Sequence, residues 1–181
     1  LSNIAEFSDK AAAAVSIQSR QVLLQLLSSL PGVENACIAG GPPANDGTSM
    51  QTMKFNNGKK DIETTVEIKY GDEDFFKLYH MQLAAGRFLK KGDTLTEYVI
   101  NERYAKFLGF KNPADAIGKR IQRNEGGTPI VGVVKDFYSQ SLHNEIKPLV
   151  FASIPNLESQ LHIALKPESA AGDWKAAIGQ I

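Results

Sequence analysis

The stretch GGTPIVGVVKDFYSQSLHNEIKPLVF, residues 126–151, decides the fold. Its apolar run Pro129–Phe137 predicts a strand that follows a glycine turn. A second apolar run, Leu149–Ile154, predicts another strand. The end of the first run and the segment that follows it carry charged and titratable side chains, namely Lys135, Asp136, His143, Glu145 and Lys147. This segment is either an active site or a polar loop beside the edge of a sheet.

The elements around this stretch follow one another without strict βαβ alternation. A helix is predicted from Ser8 or Asp9 to Leu30, because apolar residues recur every three to four positions and a proline-glycine pair follows. Asp72–Asp74 begin a short helix, and Asn101 can cap another. Further strands are predicted at Val33–Ala39, Met50–Phe55, Ile62–Tyr70, Glu97–Ile100, Ile117–Gln122 and Gln160–Leu165. This interspersed order indicates an α+β fold rather than a doubly wound parallel sheet.

Three local predictions concern the borders of these elements. Residues 83–88 are expected to form a connector rather than a strand. The helix after Asn101 is expected to bury Tyr104, Phe107 and Leu108, and Gly109 is expected to end it in the left-handed conformation. The tail from Ser169 is expected to be helical.

The composition restricts the possible functions. The chain has 181 residues, of which 43% are hydrophobic and 22% charged, as in ordinary globular proteins. Twenty basic and twenty acidic residues give no net charge, so nothing favours nucleic acid or an anionic membrane as a partner. The longest apolar runs are shorter than the roughly 20 residues of a membrane helix. Because the chain starts at Leu1 and stops at Ile181 inside a helical pattern, we expect it to be cut from a longer protein.

His143 and Glu145 are candidates for an acid-base or metal site, because imidazole and carboxylate two residues apart can share one strand face. The two other histidines lie in unrelated segments, so no partner motif completes a site. Lys135 and Asp136 lie at a predicted strand end, where functional sites often occur. Adjacent strand residues point to opposite faces, however, so these two side chains are not expected to converge. We interpret all four residues as parts of a solvated loop and a strand end.

The remaining candidates have structural interpretations. Cys37 lies among small apolar residues and is expected to pack as one of them; as the single cysteine, it excludes an internal disulfide and a cysteine-based zinc site. Gly40–Pro43 follows a strand but lacks the phosphate-loop pattern, and its prolines remove backbone donors. Asp72–Asp74 lack the spacing of a calcium loop. We therefore predict no catalytic residue, no cofactor and no metal, which favours a binding or force-transmitting module over an enzyme.

Five stretches occur in an order that resembles the extracytoplasmic core domain of MacB-like, FtsX-type ABC transporter permeases. They cover most of the chain. Each one alone is a common turn or cap pattern, whereas the five in sequence are specific. They are LLSSLPGVENACIAGGPP (26–43), FFKLYHMQLAAGRFL (75–89), YVINERYAKFLGF (98–110), AIGKRI (116–121) and IVGVVKDFYSQSLHNEIKPLVF (130–151).

The resemblance implies a two-lobed domain inserted between the first two of four membrane helices, outside the cytoplasmic membrane. One lobe, similar to the porter modules of efflux pumps, would be an α/β lobe formed by residues 1–58 and 150–181. The other would be an inserted mixed β-sheet lobe with short helices, formed by residues 59–149.

The resemblance also implies a function without catalysis in this domain. ATP would be bound by a separate cytoplasmic ATPase subunit or domain. Two permease protomers would convert the ATP cycle into movement outside the membrane, for export, efflux or lipoprotein handling. An extracytoplasmic protein would be a further partner. Such work requires rigid packed lobes and a deformable junction rather than a catalytic site.

The alternative hypothesis is a soluble enzyme or ligand-binding protein. It would use His143, Glu145, Lys135 and Asp136 around one cleft. This hypothesis requires the four side chains to converge, whereas the transporter hypothesis does not.

Overall fold

The structure is a computed structural model that describes residues 17–44, 49–58, 60–123, 126–139 and 145–166. The predicted first helix is present over residues 17–28 (α1), while its predicted start lies outside the described residues, as does the tail from Ser169. Among the apolar residues that recur along this helix, Leu27 is buried. Val22 and Leu26 are 52% and 51% exposed, so much of this apolar pattern lies on the surface of the described residues.

The other regular elements of the described residues are nine strands and two further helices. The strands are β1 (Val33–Ala39), β2 (Ser49–Asn56), β3 (Asp61–Tyr70), β4 (Leu83–Gly86), β5 (Tyr98–Asn101), β6 (Arg120–Ile121), β7 (Thr128–Val134), β8 (Leu149–Ala152) and β9 (Gln160–Leu165). The helices are α2 (Glu73–Leu78) and α3 (Glu102–Phe107), and 3-10 turns lie at Pro113–Ala116 and Pro155–Leu157. Strands and short helices are interspersed, so the predicted α+β class is confirmed.

The strands form one large mixed sheet and one small antiparallel sheet. The large sheet has the order β2-β3-β8-β5-β7-β4, with β6 paired to β7 beside β4. Its pairs β3–β8 and β5–β7 are parallel, and the others are antiparallel. The small sheet consists of β1 and β9 alone. The stretch 126–151 thus supplies β7 and β8, which flank the central strand β5.

The large sheet curls until its two ends touch. Lys54 of β2 and Gln122, just after β6, exchange two backbone hydrogen bonds of 2.8 Å each. Inside the curl, apolar side chains of six strands pack with Tyr104 and Leu108 from α3 and its last turn. Phe110 follows that turn and packs edge-on against Phe55, with ring centroids 5.4 Å apart. The curl therefore encloses the first of two cores.

The other face of the same sheet carries the second core. Alternating residues of β8 separate the two cores, because successive strand residues point to opposite faces: Val150 lies in the first core and Phe151 in the second. Phe75 and Phe76 of α2 pack on this outer face together with Cys37 of β1. Helix α2 therefore lies between the large sheet and the small one.

Several local predictions were wrong. Residues 83–86 form β4, because β7 offers a free edge that the local sequence does not reveal. The predicted strand Ile117–Gln122 is only the two residues of β6. The strands predicted to reach Phe137 and Ile154 end at Val134 and Ala152. Phe107 is 52% exposed, since the short α3 buries Tyr104, Ala105 and Leu108 instead.

The predicted division into lobes remains a prediction. The sheet pairing places β2 and β8 in the large sheet, so the sheets separate between Ala39 and Ser49 and again between Ala152 and Gln160. The predicted borders, at 58/59 and 149/150, instead group β2 and β8 with the chain ends. The difference arises because β2 forms a hairpin with β3, and β8 runs between β3 and β5.

Candidate functional site at the junction of the two sheets

The small sheet contacts the large one through Gly40, the residue that follows β1. Its backbone N–H donates a 2.8 Å hydrogen bond to the carbonyl oxygen of Tyr70, at the end of β3. A Cβ atom on Gly40 would lie 3.3 Å from both Cβ and the carbonyl oxygen of Tyr70. Glycine at this position therefore lets the two backbones approach closely.

His162 of β9 makes the second connection. Its Nε2 lies 2.7 Å from the carbonyl oxygen of Gly40, and since that oxygen can only accept, the Nε2–H group is the donor of this hydrogen bond. Its Nδ1 lies 2.8 Å from the hydroxyl of Tyr79, just after α2. Burial raises the pKa of Tyr79, so the phenol stays protonated. The buried imidazole thus links the small sheet, α2 and the loop after β1.

A buried ion pair makes the third connection. Nζ of Lys69 lies 2.8 Å from Oε1 of Glu67, in ion-pair contact rather than in hydrogen-bond geometry, and both side chains are at least 95% buried. The hydroxyl of Ser139, beyond β7, donates to Oε2 of Glu67 at 3.2 Å. Nζ of Lys69 also lies 3.5 Å from the carbonyl oxygen of Pro42. The pair therefore holds the loops that leave β1 and β7 against β3.

Lys135 and Asp136 come directly after β7 and have structural partners. Nζ of Lys135 donates to the side-chain oxygen of Gln82 at 2.9 Å. The carboxylate of Asp136 accepts from the backbone N–H of Arg103 at 2.8 Å, in the first turn of α3. The strand ends at Val134, and both residues line a groove of about 330 Å³.

Glu145 lies apart from that groove. Its side chain is 91% exposed, and its carboxylate is 3.6 Å from the guanidinium of Arg103. His143 lies outside the described residues. Within the described part of the segment, Lys135 and Asp136 therefore line one groove with separate partners, and Glu145 lies in solvent.

The first turn of α3 holds both ends of the segment between β7 and β8. Besides the bond of Asp136 to this turn, the side-chain oxygen of Asn101 accepts from the backbone N–H groups of Tyr104 and Leu149, both at 3.0 Å. The side-chain amide of Asn101 donates to the carbonyl oxygen of Lys147 at 3.0 Å. Asn101 was predicted as a helix cap, and it also fastens the return of the segment into β8.

The other sequence candidates have structural roles. Cys37 is buried, and burial followed by the charge of Asp72 raises its pKa to about 12, so it remains a neutral thiol. The carboxylate of Asp72 accepts from the backbone N–H groups of Asp74 and Phe75 and begins α2 as predicted. Among the described residues no group of three or more histidine, cysteine or acidic side chains is placed to hold a metal.

The junction residues Gly40, Tyr79 and His162 were missed by the sequence reasoning. They lie in three separate segments, and no recognisable spacing connects them. His162 is one of the two histidines that lie in segments unrelated to His143. The alternation of β9 gives the one available signal, because it places a histidine on the buried face of a strand.

The sequence matches the MacB-like periplasmic core domain family over residues 3–181. The chain belongs to this family. It is therefore a periplasmic, or extracellular, core domain of a MacB-like ABC transporter permease, as the five ordered stretches predicted. No match was found among curated proteins.

Solved structures of such domains share the fold. The periplasmic region of MacB from Actinobacillus actinomycetemcomitans superposes with a TM-score of 0.59 at 14% identity, covering 86% of this chain and 69% of that one. A domain of a putative permease from Porphyromonas gingivalis gives 0.58 at 18% identity, with coverages of 86% and 72%. The extracellular domain of the transporter YknZ from Gram-positive bacteria gives 0.53 at 12% identity, with coverages of 85% and 75%.

No helix of the described residues is long and apolar enough to cross a bilayer.

Proposed function

We propose that this domain is a noncatalytic coupling element of the permease. It converts ATP hydrolysis by a cytoplasmic ATPase subunit or domain into movement on the extracytoplasmic side of the cytoplasmic membrane. The movement serves export, efflux or the handling of lipoproteins. The working unit pairs two permease protomers, and an extracytoplasmic partner protein receives the movement.

The observation that carries this proposal is the family match over residues 3–181. The junction geometry supports it, because a body that transmits displacement needs its parts joined by specific contacts. The two cores share one sheet, and His162 together with the Glu67–Lys69 pair fastens the small sheet and the loops to it. We propose that the porter-like lobe and the inserted lobe meet at this junction.

A catalytic role for Lys135, Asp136 and Glu145 has weaker support. Lys135 and Asp136 share a groove, yet each is bonded to a structural partner, and Glu145 is 91% exposed with a long contact to Arg103. A general base or nucleophile needs a second group within hydrogen-bond reach and an enclosed site. The described residues of this segment do not provide that arrangement.

A distance measurement in the intact transporter tests the proposal. The full-length permease and its ATPase are placed in lipid nanodiscs, with a spin label on the exposed position 106 of each protomer after the change Lys106→Cys. Cys37 is buried with a raised pKa, so it does not compete for the label. ATP is expected to change the distance between the two labels, and an ATPase variant that cannot bind nucleotide is the control. An identical distance with and without ATP contradicts the proposal.

A further inference from the structure

A cleft of about 460 Å³ lies beneath α1. Its walls come from one face of α1, from β1, from the start of α2, and from the segments 91–93 and 155–158. The lining includes the apolar side chains of Ile17, Leu24, Ile38 and Pro155. Its volume lies within the range of small-molecule sites, roughly 300 to 1,000 Å³.

Two buried carboxylates open into this cleft. Asp72 and Glu158 are each only 5% exposed, and both line the cleft. Oδ1 of Asp72 accepts from the backbone N–H groups of Asp74 and Phe75, whereas no described residue donates to its Oδ2. Oε1 of Glu158 accepts from the backbone N–H of Ile154 at 2.8 Å. Each carboxylate is thus anchored through one oxygen.

The charges of both groups are incompletely compensated. None of the ion pairs between described residues includes Asp72 or Glu158. Burial is the main reason that the pKa of each is raised, and the charge of Lys91 opposes this only in part. The Ser153 hydroxyl also opposes the rise in the pKa of Glu158, although the contact between the two side chains does not have the geometry of a hydrogen bond. A carboxylate that is desolvated without a partner gains by binding a cation.

The cations at the cleft do not fill this role. Arg20 donates from its guanidinium to the backbone carbonyl of Glu158 at 3.0 Å, not to the carboxylate. Lys91 is exposed at the rim. The cleft therefore combines apolar walls with the two buried carboxylates and with two exposed ones, Asp74 and Asp93, all of which attract positive charge.

We propose that this cleft binds a small organic cation, an alkylamine or alkyldiamine. The ammonium groups contact Asp72 and Glu158, and the methylene chain packs against the apolar wall formed by Leu24, Ile38 and Pro155. The site is independent of the proposed coupling function, because it is defined by the cleft alone.

The test uses pentane-1,5-diamine as the probe and pentane-1,5-diol, of the same length and without charge, as the control. Binding to the 181-residue chain is measured by titration calorimetry and by amide shifts in NMR spectra. Saturable binding of the diamine, with shifted amides around the cleft, is expected, and no binding of the diol. Equal behaviour of the two compounds, or no saturation by the diamine, would overturn the proposal.

Matched variants locate the binding. Asp72→Asn keeps the helix cap, because asparagine caps as well as aspartate, and Glu158→Gln keeps an acceptor for Ile154. Each removes one charge and is expected to weaken diamine binding about tenfold or more, as for a lost charged hydrogen bond. Asp115→Asn, on the exposed 3-10 turn, is expected to leave it unchanged.

A steric variant covers the case in which a charge variant does not fold. Leu24→Trp fills the cleft from α1 without changing any charge, and it is expected to abolish diamine binding. Wild-type affinity in Leu24→Trp, or in both charge variants, would show that the diamine binds elsewhere and would refute the site.

Discussion

Removing the ammonium group of Lys69 is expected to destabilise the domain strongly. Lys69 and Glu67 are 5% and 1% exposed, so the change Lys69→Met leaves a carboxylate buried without its counter-ion. Breaking a buried pair from one side costs about 3 to 5 kcal/mol. For a urea dependence of about 2 kcal/mol per molar, the unfolding midpoint falls by about 1.5 to 2.5 M.

A second change tests the reason for this loss. The double variant Glu67→Gln with Lys69→Met removes both charges and keeps an acceptor for the Ser139 hydroxyl. It is expected to recover most of the lost stability, because the cost of the single change is mainly an unpaired buried charge. Both variants are measured by urea unfolding, followed by far-UV circular dichroism.

The exposed pair Lys54–Glu63 provides the matched control. It joins β2 to β3 with a distance of 3.5 Å and side chains that are 62% and 61% exposed. Lys54→Met is expected to leave the midpoint unchanged, because exposed pairs contribute little. The reasoning is refuted if Lys69→Met costs less than about 1 kcal/mol, or if the double variant is as unstable as the single one.

Three further predictions concern single side chains. A Cβ at Gly132 would collide with the backbone carbonyl of Arg87, so Gly132→Ala is expected to lower the thermal midpoint by several degrees, while Gly92→Ala, with no contact closer than 3.6 Å, does not. Tyr104→Phe removes a buried hydroxyl that has no partner among the described residues, so unfolding in urea is expected to show unchanged or higher stability. Burial raises the pKa of Glu158, so the folded protein binds a proton at this carboxylate more tightly than the unfolded chain does. The stability of the wild type relative to Glu158→Gln should therefore rise as the pH falls from 7 towards the ordinary glutamate pKa. A decrease in this relative stability would contradict the burial argument.

Local structure was largely predictable from the sequence. The borders of β1 and β9 were predicted to the residue, because turn residues such as Pro31-Gly32 bound a regular apolar pattern. Asn101 caps α3 and Gly109 has a positive φ of 97°, both as expected from the chemistry of these residue types. Such features depend on a few neighbouring residues, which one sequence contains.

Long-range pairing was not predictable in the same way. β1 pairs with β9 across more than a hundred residues, and β2 touches the residue after β6 through a single bridge. β4 was missed because a short strand becomes stable only when β7 offers its edge. Neither spacing nor composition specifies which strand edges meet. The family resemblance predicted only that the two chain ends form one lobe, and its lobe borders remain predictions.

The junction was hidden for the same reason. The hydrogen bonds of His162 to Gly40 and Tyr79 span 122 and 83 positions of sequence. The sequence candidates were instead Lys135, Asp136, His143 and Glu145, which lie close together along the chain and were interpreted as parts of a solvated loop and a strand end. Closeness in sequence suggested these four candidates, whereas the buried polar contacts join residues that are far apart in sequence.

The central claim is that the junction around His162 holds the two sheets as one body. Spin labels placed at the exposed positions 34 of β1 and 63 of β3, through Glu34→Cys and Glu63→Cys, report the distance between the sheets. The account predicts one narrow distance in the otherwise unchanged chain, and a broadened distribution after His162→Phe, which removes both hydrogen bonds and keeps an aromatic ring. Two distances before that change, or an identical narrow distribution after it, would contradict the claim.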